Sequence, residues 1–195
     1  MDNSSQTPAP WHGKIRAALA RAERAKFTRL VPKSARAQMK FLRTRAKGST
    51  KALAERLGVS GSTVRRYLTG ASTNPHKYLQ EALAQETEEE WQPQVRAQAR
   101  QHAGTSGGLV ISCRAYFGFG PYGTSDAGRM RDLTVAVAPS HAAAILAAKE
   151  SGATDKDLHE LVADAIADAY FRQGGGGRAG LKVEFTDVDW LDISF

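Results

Sequence analysis

Residues 49–70 read STKALAERLGVSGSTVRRYLTG, two short helical patterns hinged on one glycine. Ser49 or Thr50 offers an N-cap oxygen to the first, whose apolar face is Leu53, Ala54 and Leu57. Gly58 ends it, because a turn this tight needs a positive φ that glycine adopts without steric cost. GVSGS supplies the turn and directs Val59 back to the core, and Val64, Tyr67 and Leu68 then face inward from the second helix. Thr63, Arg65 and Arg66 remain on its opposite face. Few folds accept two helices this short, this close and this sharply joined.

The segment resembles the helix-turn-helix motif. Ala54 is small enough for the helices to cross closely, and Val64 anchors the second from its first full turn. A plain αα-hairpin in a bundle would not require small residue, glycine and β-branched anchor at these offsets. In such motifs the second helix enters the DNA major groove with its N-terminal residues toward base edges. Ser62, Thr63, Arg65 and Arg66 are therefore the expected readers, arginine being able to bond two acceptors of guanine at once. Lys51, Arg56 and the basic residues before Gly48 (Arg43, Arg45 and Lys47) are expected at phosphates.

Charge agrees with that reading. Residues 1–80 hold 17 Lys and Arg against 3 Asp and Glu, a net of +14, whereas residues 81–195 hold 10 against 17, a net of −7. A cationic half attracts a polyanion by releasing its counterions. No stretch approaches the roughly 20 apolar residues of a membrane span, and MDNSSQTPAPWHG lacks the pattern of a secretory signal. A single cysteine, Cys113, excludes an intramolecular disulfide and a thiolate metal cluster. A soluble cytoplasmic protein of one moderate or two small domains is expected.

Residues 1–12 read as a flexible tail. Ile15, Leu19, Ala22, Lys26 or Phe27, and Leu30 predict a helix that ends at Pro32, and a second runs from Lys33-Ser34 to Gly48 with Met39 and Leu42 inward. NPHKYLQEALAQETEEEW predicts another, with Tyr78, Leu79 and Leu83 inward. These patterns place a basic helical domain at 13–86 and a connecting segment at 87–107, in which Gln92 to His102 could form a short helix. From residue 108 to 195 the order is β-β-α-α-β: LVISCRAYFGF, MRDLTVAVAP, PSHAAAILAAKESG, TDKDLHELVADAIADAYF and LKVEFTDVDWLDISF. The predicted class is α+β, an all-α helix-turn-helix domain followed by a smaller α+β domain.

Chemical groups are sparse. The five histidines show no metal-binding spacing, and Cys113 reads as a small core residue. Glu160, Asp164 and Asp168 share a helical face that reads as solvated, as do Asp187, Asp189 and Asp192, so no metal site of the chain's own is expected. YGTSDAG, between the first two strands, carries the adjacent hydroxyls Thr124 and Ser125 in a turn. A free hydroxyl is a poor nucleophile without an activating base or metal, and by itself this stretch reads as a turn.

Taken whole, the chain resembles the Streptomyces-type telomere terminal proteins (the Tpg family), which cap linear actinobacterial chromosomes and plasmids. The residues that carry the resemblance are FTRLVPKSARAQMKFL, TKALAERLGVSGSTVRRYL, WQPQVRAQAR, GTSGGLVISCRAYFGF, GTSDAGRMRDLTVAVAP, ADAYFR and VEFTDVDWL. The resemblance implies a protein bonded covalently to the 5′ end of DNA. Thr124 matches the family's nucleotide-accepting threonine, and Ser125 is the alternative acceptor. It further implies a protein primer rather than an autonomous enzyme. Telomeric DNA, a DNA polymerase that brings Mg2+ and deoxynucleotide, and a telomere-associated DNA-binding companion protein are the implied partners. The implied location is the nucleoid and its telomeres. Two other readings remain open: a transcription regulator whose α+β half senses a ligand or dimerises, and an autonomous nucleotidyltransferase using Asp187 or Asp189.

Overall fold

The computed structural model describes residues 13–119, 128–172 and 182–195. It is mixed α+β, as the sequence predicts, and divides into two compact units. One spans Thr28–Pro93; the other joins the chain up to Phe27 with Gln94–Phe195.

The Thr28–Pro93 unit holds α2 (Ala35–Arg45), α3 (Thr50–Arg56), α4 (Gly61–Thr69) and α5 (Lys77–Glu90). Ser34, Ser49 and Ser60 cap the first three, their hydroxyls accepting from the backbone N–H groups of Ala37, Ala52 and Thr63. Met39, Leu42, Leu53, Leu57, Val64, Leu79 and Leu83 fill one core. Trp91 closes it, its ring 4.9 Å from Phe41 and its indole N–H donating to the Arg29 carbonyl at 3.1 Å. Tyr78, expected inward, is 68% exposed.

The second unit contains α1 (Lys14–Ala25), α6 (Pro93–His102), α7 (Pro139–Glu150), α8 (Asp155–Ile166) and the antiparallel sheet β2-β1-β3. The strands are β1 (Leu109–Phe119), β2 (Arg129–Val137) and β3 (Val183–Ser194). The inner face of the sheet, with Ile111, Cys113, Phe117, Val135, Phe185 and Ile193, joins a core that includes Leu19, Ile145, Leu158 and Ile166 from the helices. Thr154 and Asp157 make the capping box that starts α8. Between the pairs Arg114↔Trp190 and Tyr116↔Thr186 lie one residue of β1 and three of β3, a bulge that carries Asp187 at φ 44°.

The expected domain at 13–86 is corrected here. α1 belongs with the sheet, because Ile15, Ala18, Leu19 and Ala22 enter the sheet's core. Two of its basic residues serve β3: the Lys14 ammonium donates to the carbonyls of Val188 and Asp189, and Arg21 donates to Leu191 at 2.6 Å. The helix also stops at Ala25, short of Leu30, which is 90% exposed. Residues 94–107, expected as a connector, are helical and part of the same unit.

Candidate nucleic-acid interface

The two helices of the 49–70 segment pack as their pattern requires. Leu53, Ala54, Val64 and Tyr67 are buried between them and their neighbours. Gly58 takes φ 63° in the turn, and Gly70 takes φ 89° after α4, its N–H and that of Ser72 both reaching the Arg66 carbonyl. At the N-terminus of α4 the Ser60 hydroxyl lies 2.8 Å from that of Ser62 and 2.9 Å from that of Thr63. Thr63 is thereby tied to the cap and half-buried, whereas Ser62, Arg65 and Arg66 are exposed.

The expected phosphate contacts divide into two sets. Arg43, Lys47 and Lys51 are exposed and make no ion pair among the described residues. Arg45 and Arg56 are taken up by α5. Arg45 bonds Glu90 at 2.7 Å, and Arg56 pairs with both Glu86 and Glu90. Partial burial would lower the Arg56 pKa, but hydrogen bonds to Glu90 and Glu86 outweigh it and hold the pKa raised. Glu90 mirrors this: burial would raise its carboxyl, and the bonds from Arg45 and Arg56 hold it below the ordinary value. The sequence shows the charges of ETEEE but not that Glu86 and Glu90, one helical turn apart, reach back to α2 and α3.

The positive excess concentrates in this unit. Residues 28–93 hold 12 Lys and Arg against 6 Glu, a net of +6 out of the chain's +7. In the other unit Lys14, Arg16, Arg21 and Lys26 are bonded to β3, Asp155 and the Phe195 carbonyl.

Thr124 and Ser125 lie outside the described residues. The strands that flank them are fixed: Phe117 pairs with Arg129 and Tyr116 with Met130, and β1 runs on to Phe119. Cys113 is fully buried beneath this sheet, and burial, with the Asp132 charge, pushes its thiol pKa up to about 12. That makes it an inert core residue at neutral pH.

One cluster was not legible in the sequence. His141 of α7 lies 2.7 Å from Asp168, and Arg172 bridges Asp168 at 2.5 Å and Asp164 at 2.8 Å. The donor atoms of His141, Asp164 and Asp168 lie within 4.8 Å of one another. The Arg172 hydrogen bond leads in holding Asp168 below its ordinary pKa, against a smaller desolvation effect and with His141 assisting. The arginine already supplies a cation to both carboxylates, so the group closes on itself as an ion-paired network. Asp187, Asp189 and Asp192 are exposed on β3, and Asp189 pairs with Arg114 at 3.0 Å.

No helix among the described residues is long and apolar enough to cross a membrane. Comparison of the chain with family models, curated proteins and solved structures gives no match.

Proposed function

We propose that this chain is a DNA-binding terminal protein, which grips DNA through the Thr28–Pro93 unit and offers the Thr124 hydroxyl as primer for a DNA polymerase. The observation that carries the DNA-binding half is the exposed face of α4. Arg65 and Arg66 stand on it without an ion pair among the described residues, in a unit of net +6. Arginines left unpaired beside six glutamates suit a partner that supplies the missing negative charge.

The priming half rests on the resemblance to terminal proteins and is supported by position. Thr124 and Ser125 fall in sequence between β1 and β2, and binding and reactive residues concentrate in segments that connect such elements. In the reaction, the Thr124 oxygen bonds to the α-phosphorus of a deoxynucleoside triphosphate, the α–β anhydride bond opens and pyrophosphate leaves. The hydroxyl proton passes to a base or water in the polymerase site. Metal ions of the polymerase supply charge neutralisation, which removes the need for a base beside the hydroxyl in this chain.

The test is incubation with labelled deoxynucleotide, polymerase, companion protein and telomeric template. Label that survives denaturing electrophoresis and is lost in Thr124→Val supports the reading. Label lost only in Ser125→Ala moves the acceptor by one residue, and no label in wild type overturns priming.

A dimeric regulator is the second reading. Trp190, Met130 and Val110 lie exposed on the outer face of the sheet, and this favours it. It predicts binding to palindromic duplexes and no nucleotide adduct.

A further inference from the structure

The basic residues of α2 are not scattered. Arg36, Lys40 and Arg43 recur at i, i+4 and i+7, on one stripe of the helix. Lys47 continues the line through the turn that follows. Lys40, Arg43, Thr44, Lys47 and Gly48, with Leu68 of α4, line an open groove of about 530 Å³. Arg36 ties the stripe to the end of α4, donating to the Leu68 carbonyl at 3.2 Å. Lys40, Arg43 and Lys47 make no ion pair among the described residues, although Arg45, on the neighbouring face of α2, is held by Glu90.

Lys47 adds a second, independent observation. It takes φ 53°, a left-handed conformation that glycine or asparagine accepts and a lysine adopts at a cost. Gly48 follows at φ 82°. A cation kept at a strained position, where glycine would relieve the backbone, points to use of its charge.

We propose that Lys40, Arg43 and Lys47, anchored by Arg36, form a phosphate rail that holds the backbone of one DNA strand beside α4 and separately from its base-reading arginines. This inference rests on the DNA-binding reading. Lys40 and Arg43 are about 4.5 Å apart along the helix axis, and Lys47 follows in the turn after α2. Phosphates of one strand advance about 3.4 Å per nucleotide along the duplex axis, so these long side chains can reach neighbouring phosphates. Because phosphates repeat in every sequence, the rail contributes affinity and register, and leaves the choice of sequence to Arg65 and Arg66.

The test measures binding of the full-length chain to a mixed-sequence DNA duplex as a function of salt. The triple variant Lys40→Gln, Arg43→Gln, Lys47→Gln should flatten the log–log salt slope by about 2.7, from about 0.9 per phosphate contact. Between about 50 and 200 mM salt the wild type should then lose about 40-fold more affinity than the variant. Lys47→Gly should remove about one contact's share of the slope while the melting temperature holds or rises, which separates lost charge from lost fold. Lys77→Gln, on the exposed surface of α5, should leave the slope unchanged.

A triple variant with the wild-type slope overturns the rail and leaves DNA binding by α4 intact. Loss confined to vesicles of anionic lipid, with DNA binding unchanged, also overturns it. A wild-type chain with no affinity for duplex overturns the DNA-binding reading and the rail together.

Discussion

The Arg56 guanidinium is bonded to the Glu90 carboxylate, and the same carboxylate holds Arg45 at 2.7 Å, so one glutamate of α5 ties down both α2 and α3. The pair has a pH signature. The folded chain holds the Glu90 carboxyl below its ordinary value of 4.5. The contribution is therefore complete above that value and is lost as pH falls through the lowered folded pKa. Because the partners are partly exposed, Glu90→Gln should destabilise by no more than about 1 kcal/mol at neutral pH. Thermal melts should show the gap between wild type and variant closing in acid. A gap that persists at acid pH would mean that the carboxylate charge is not its source.

Glu23 should matter more. It is 2% exposed, and around it stand Lys149 at 2.7 Å, Arg100 at 3.4 Å and Arg96 at 3.7 Å, from α7 and α6. Glu23→Gln leaves three cations converging on a neutral amide and should cost about 3 kcal/mol. A denaturant titration that finds less than a third of that would show the cations turning out to solvent.

Two glycines should respond very differently to alanine. At Gly58 a new Cβ would meet nothing closer than the Tyr78 hydroxyl at 3.5 Å, so Gly58→Ala bears only the cost of a positive φ, about 1 kcal/mol. At Gly108, also at positive φ, the new atom would fall 2.1 Å from the Val137 carbonyl oxygen, where β1 begins against the end of β2. Backbone on both sides must shift, and a loss of about 3 kcal/mol is expected by the same titration. Equal losses at the two sites would contradict the strand register.

For DNA binding, Arg65→Ala and Arg66→Ala should each weaken a specific complex by about 1–3 kcal/mol and relax sequence choice. Competition between matched and mismatched duplexes checks both. Unchanged binding by the double mutant at low salt would remove α4 from the role of reader.

What was legible in the sequence was local. The α3–α4 pair announces itself through Ser49, Ala54, Gly58 and Val64, and α8 through its cap Thr154, because each signal lies within a few residues of its consequence. The β1–β2 pairing follows from alternation in adjacent segments. Choice of partner was not legible. The stripe Ile15–Leu19–Ala22 predicts a buried face but cannot say that β3, far along the chain, covers it. The same limit hid the capture of Arg45 and Arg56 by Glu90, and the meeting of His141 with Asp168. Net charge counted along the chain overstated the cationic surface, since Lys14, Arg16 and Arg21 are spent inside their own unit. Thr124 and Ser125, the residues on which the priming proposal depends, lie outside the described residues.

The most direct measurement is mass spectrometry of the protein recovered from native DNA ends after exhaustive nuclease digestion. Priming by this chain predicts a peptide that spans residues 122–128 and carries a nucleotide remnant on Thr124. Native ends free of this polypeptide, or a remnant on a residue outside that segment, would contradict it.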